Sequence, residues 1–60
     1  MALLVLDGSG DTLGQIESLD ELDKAPDWEN ALGRTVRQIA NANDGYIEDE
    51  DGSVVWDGAE

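Results

Sequence analysis

The sequence predicts a single two-layer α+β domain, ordered ββαββ, with one helix packed on one face of a four-stranded sheet. Three observations predict it. Apolar segments near each end of the 60-residue chain are interrupted by Asp-x-x-Gly, a composition suited to tight hairpin turns. Apolar residues in the middle of the chain recur at helical spacing. Asn43-Asp44-Gly45 then divides that middle block from the last strands, as a helix stop does.

The first hairpin is expected from Ala2–Leu6 and Thr12–Ile16, joined by Asp7-Gly8-Ser9-Gly10-Asp11. Asp at the start of this turn and Gly in its left-handed position are the residues a hairpin turn demands. Ser18-Leu19-Asp20-Glu21 has capping-box spacing and predicts a short helical turn, which Lys24-Ala25-Pro26 interrupts. Pro26 suits the first position of a new helix. From there Trp28, Leu32, Val36 and Ile39 form an apolar stripe, with Ala31, Thr35 and Ala42 beside it. Asp27 and Glu29 precede Arg34 and Arg37, the order a helix dipole favours. Gly33 opposes this helix by up to ~1 kcal/mol, and Gly45 is the expected left-handed stop. The second hairpin repeats the first: Tyr46-Ile47-Glu48, then Asp49-Glu50-Asp51-Gly52, then Ser53-Val54-Val55-Trp56. Superposing the two turns matches Val5 with Ile47 and Leu13 with Val55.

A helix joining two hairpins and packing on a four-stranded sheet resembles the β-grasp arrangement of the immunoglobulin-binding domains of protein G. The resemblance lies in element order and length across residues 1–60. It implies a fold and no activity.

Charge narrows the functional classes. Nine Asp and six Glu oppose one Lys and two Arg, a formal charge of -12, and there is no His or Cys. Three cations are too few to neutralise a nucleic-acid backbone, so no direct nucleic-acid binding is expected. Without His or Cys, the usual transition-metal ligands and a triad base are missing. No cofactor and no enzymatic activity are expected. The opening Met1–Leu6 is too short for a secretory signal and lacks a basic start, and no apolar run could span a bilayer. A cytoplasmic, membrane-free protein is expected. An Asp-rich surface with a single Lys resembles the proteins of haloarchaea, which implies a domain adapted to molar salt.

Two surfaces are candidates for function. Strand 1 is apolar at every position, and such a strand is normally covered on both sides. With three-residue turns, Leu4, Leu6, Ile16, Tyr46, Val54 and Trp56 would share one face, and Leu3, Val5, Leu13, Ile47 and Val55 the other. One helix can cover only one of them, unless residues 19–25 fold beneath the second. The candidate interface therefore comprises Leu3, Leu4, Val5, Leu6, Leu13, Ile47, Val55 and Trp56, with a homodimer or another protein as partner. The second surface is acidic: Glu48, Asp49, Glu50, Asp51 and Asp57. As an alternative function, these carboxylates would imitate a phosphate backbone and make the chain an inhibitor of a basic protein surface. Asp7-x-Ser9-x-Asp11 begins like a calcium loop, but Thr12 stands where Gly is required and Ser18 where the bidentate Glu belongs. A hydrated acidic face is the expectation there, not a metal site.

Overall fold

The computed structural model describes residues 2–29 and 31–58. It contains strands β1 (Leu3–Leu6) and β2 (Thr12–Ile16), a 3-10 turn at Leu19–Asp23, helix α1 (Val36–Ala42), and strands β3 (Tyr46–Glu48) and β4 (Val54–Trp56). The strands form one sheet in the order β2-β1-β3-β4, and every pairing is antiparallel. The expected ββαββ order and layering are present. The likeness to the β-grasp arrangement stops at strand pairing, because that sheet joins its hairpins through parallel strands.

The two hairpins are built alike in detail. Asp7 Oδ1 accepts hydrogen bonds from the amides of Ser9 (2.8 Å) and Asp11 (3.0 Å). Asp49 Oδ1 accepts from those of Asp51 (2.9 Å) and Ser53 (3.0 Å). Gly10 and Gly52 take the left-handed conformation, with φ of 91° and 85°, and each amide donates to the carbonyl of its turn's first Asp at 3.0 Å. A Cβ at either glycine would meet nothing within 4 Å, so the backbone conformation alone penalises a side chain there. Gly52→Val is expected to destabilise the domain by more than ~1 kcal/mol in a denaturant melt. An unchanged midpoint would show that the turn does not depend on that conformation.

The register differs from the expected one. Val5 pairs with Gly14, not Leu13, and Ile47 with Trp56, not Val55. An irregularity in each hairpin leaves Leu13 and Val55 as extra residues, and a bulge of this kind changes which residues share a face. Ile16 and Trp56 consequently join Val5 and Ile47 on the core side. The bulges fall at matching places in the two hairpins, and β1 meets β3 with Val5 opposite Ile47. The pairing pattern thus has a local twofold symmetry about Val5 and Ile47.

The middle block departs most from expectation. The helix begins at Val36, not at Pro26, and Leu32 is not part of its stripe. Leu32 and Gly33 have φ of 54° and 79°, which no right-handed helix accommodates. The start is set by Thr35: its Oγ1 accepts from the Gln38 amide at 3.2 Å while Gln38 Oε1 accepts from the Thr35 amide at 3.0 Å. This reciprocal capping box supplies partners for two otherwise unpaired amide groups. At the other end Asp44, with φ of 55°, takes the left-handed position expected of Gly45. Asn43 Nδ2 donates to the Ile39 carbonyl at 2.7 Å. The Ser18 side chain makes no capping hydrogen bond, although the turn it precedes is there.

Seven residues of helix are too few to persist alone, so α1 depends on what it covers. Val36 and Ala40 pack with Val5, Ile16, Leu22 and Ile47 in one buried cluster. Leu22 brings the 3-10 turn to this same side, so residues 19–25 do not cover the second sheet face. The indole of Trp28 lies against Gly14, where any Cβ would fall inside the ring. Trp56 holds the corresponding position of the second hairpin, so one hairpin carries its own indole and the other receives one from the loop.

Candidate interaction surfaces

The structure places most of the candidate interface inside the protomer. Val5 and Ile47 are fully buried, Leu6 is buried, and Leu3, Leu13 and Trp56 pack against the core. Val5 and Ile47 cannot serve a partner without the fold opening, whereas Leu3, Leu13 and Trp56 are half-buried and keep part of their surface outside. Leu4 and Val55 stay outside, at 37% and 39% exposure. The register explains the difference. With Ile16 and Trp56 turned inward, the open sheet face carries the row Gln15, Leu4, Glu48, Val54 beside Thr12 and Tyr46, between which Leu6 is buried. Val54, which the sequence had not singled out as an interface residue, is 55% exposed. The open face therefore alternates apolar and polar groups, and a carboxylate sits between its two exposed apolar side chains.

The acidic segment is partly engaged in building its own hairpin. Asp49 organises the turn as described, and Glu50 Oε2 accepts from the Ala2 amide at 3.0 Å. Glu48 is half-buried, whereas Glu50, Asp51 and Asp57 are exposed. Among the described residues, no group of three or more carboxylates is arranged to hold a metal ion. In the first hairpin, Asp7 spends one carboxylate oxygen on its own turn amides.

Arg37 is held between neighbouring elements. Its Nε donates to Asp23 Oδ1 at 3.1 Å, and its guanidinium carbon lies 6.0 Å from the centre of a Trp56 ring. It links α1, the 3-10 turn and β4, with the Asp23 side well exposed and hence weak.

A third surface was missed by reading the middle block as one continuous helix. Ala31–Arg34 is a tight turn, closed by the Arg34 amide donating to the Ala31 carbonyl at 2.9 Å. Positive φ at both central residues is the requirement of a primed turn. At its tip Leu32 is 84% exposed. Beside it opens a cleft of about 310 Å³ lined by Leu13, Trp28, Glu29, Arg34, Ile39 and Asn43. The signals in the sequence were Gly33, which suits a left-handed turn, and Thr35-x-x-Gln38, which marks a later helix start.

Among the described residues, no helix is long and apolar enough to cross a membrane. Comparisons with protein-family models, curated proteins and solved structures found no match to this chain.

Proposed function

We propose that this chain is a small, non-enzymatic interaction module adapted to high salt, which works in the cytoplasm by associating with a second copy of itself. One observation carries the reading: Leu4, Leu32, Val54 and Val55 remain exposed on a domain whose formal charge is -12. These side chains offer apolar surface that a partner could cover. Molar salt supplies the condition under which they would act, because it screens the repulsion between two like-charged subunits while leaving the hydrophobic attraction in place.

Sedimentation equilibrium at about 1 M and 3 M KCl tests this. The expected result is a mass about twice the 6.4 kDa of the chain, undiminished at the higher salt. The competing reading, a carboxylate surface that occupies a basic protein groove, predicts the reverse dependence. A monomer at both concentrations that binds a basic protein, and releases it as salt rises, would favour that reading and remove self-association.

A further inference from the structure

We infer that Asp57–Gly58 is a site of spontaneous isoaspartate formation, and that the fold shields the other Asp-Gly linkages of the chain from the same reaction. There are four such pairs, beginning at Asp7, Asp44, Asp51 and Asp57. Each carries the same latent chemistry. The glycine amide nitrogen attacks Cγ of the preceding protonated carboxyl, an N–Cγ bond forms, and the carboxyl hydroxyl leaves with the amide proton as water. The succinimide ring so formed takes up water again. Opening at Cγ restores aspartate, whereas opening at the main-chain carbonyl leaves the chain running through the side chain as isoaspartate. No reactant other than water is needed. Glycine favours the attack because no Cβ hinders the approach. This chemistry is independent of self-association.

Ring closure requires the glycine amide to turn onto its neighbour's carboxyl, so a fold that holds the amide elsewhere opposes it. Three of the amides are held. Gly8 donates to the Asn43 carbonyl at 2.8 Å, Gly45 to that of Ala40 at 2.7 Å, and Gly52 to that of Asp49 at 3.0 Å. The aspartates before them are tethered too. Asp7 Oδ1 accepts from the amides of Ser9 and Asp11, and the Asp51 amide donates to Asp49 Oδ1. The Asp44 amide donates to the Asn41 carbonyl at 3.3 Å. The fourth pair lies just beyond β4, which ends at Trp56. Asp57 is exposed, and no acceptor among the described residues takes the Gly58 amide. The hydrogen bonds that build the hairpin turns and the helix end therefore also guard the Asp-Gly pairs within them, and the pair outside them is unguarded.

The test incubates the full chain in mildly acidic buffer, where more of each carboxyl is protonated, under salt at which circular dichroism shows it folded. A parallel sample is held in denaturing urea. Mass spectrometry of its peptides with electron-transfer fragmentation, which separates isoaspartate from aspartate, follows all four positions, and each folded rate is divided by the rate in urea. Asp57 is expected to keep most of its urea rate, while Asp7, Asp44 and Asp51 fall at least about fivefold behind it, the cost of parting an amide from its partner. Asp57→Glu, whose ring must close with one more member, is expected to remove the signal there and leave the other three unchanged. Equal slowing at all four positions overturns the inference, as does a faster reaction at any of the other three. A folded chain without isoaspartate at Asp57 overturns it as well.

Discussion

In a potassium chloride series, the domain is expected to be largely unfolded at low salt and to fold cooperatively above about 1 M. The magnitude follows from size and charge together. The Cα radius of gyration is 10.1 Å, close to the screening length of about 10 Å at 0.1 M salt. The net charge of -12 therefore acts across the whole molecule in ordinary buffer. Raising salt to about 1 M shortens that length to about 3 Å, below the separation of most surface carboxylates. Stability for a chain of this length is on the order of 3–9 kcal/mol, so a repulsion of a few kcal/mol decides whether it folds. Chloride is the right anion for the experiment, because sulfate would strengthen burial in any protein. A melting temperature that does not move between low and high salt would refute adaptation to high salt.

Gly45→Ala is expected to cost about 2 kcal/mol or more. Gly45 is buried where the end of α1 turns into β3, and its amide donates to the Ala40 carbonyl at 2.7 Å. A Cβ there would collide with the Leu6 carbonyl oxygen and lie 3.1 Å from the Ala40 oxygen. Both obstacles are backbone atoms, one in a central strand and one in the helix, so neither can rotate away as a side chain would. The collision would push α1 off the cluster that holds Val36 and Ala40 against Val5 and Ile47. A denaturant melt measures the cost, and a midpoint within error of wild type would mean that β1 and the helix end are looser than the structure has them.

The element order and the hairpin turns were determined by the sequence itself. A turn is a local object: Asp7 and Asp49 reach amides only two and four residues away, and Gly10 and Gly52 answer a requirement of their own backbone. Pattern along the chain therefore suffices to find them. Val36 and Ile39 were legible as a buried helical face for the same reason, although Thr35 and Gln38 marked the true start and the stripe through Trp28 and Leu32 masked it. Only the tertiary structure decided which apolar residues face inward. A bulge adds one residue to a strand, and with a side-chain period of two that single residue exchanges the faces. Leu13 and Val55 do this in β2 and β4, moving Ile16 and Trp56 into the core and leaving Val54 outside. The same holds for the candidate site. Leu32 looks like core by spacing, and Leu13 and Trp28 are distant in sequence. Packing on Gly14, a contact between residues of β2 and the central loop, is what makes a cleft of them and leaves Leu32 outside it.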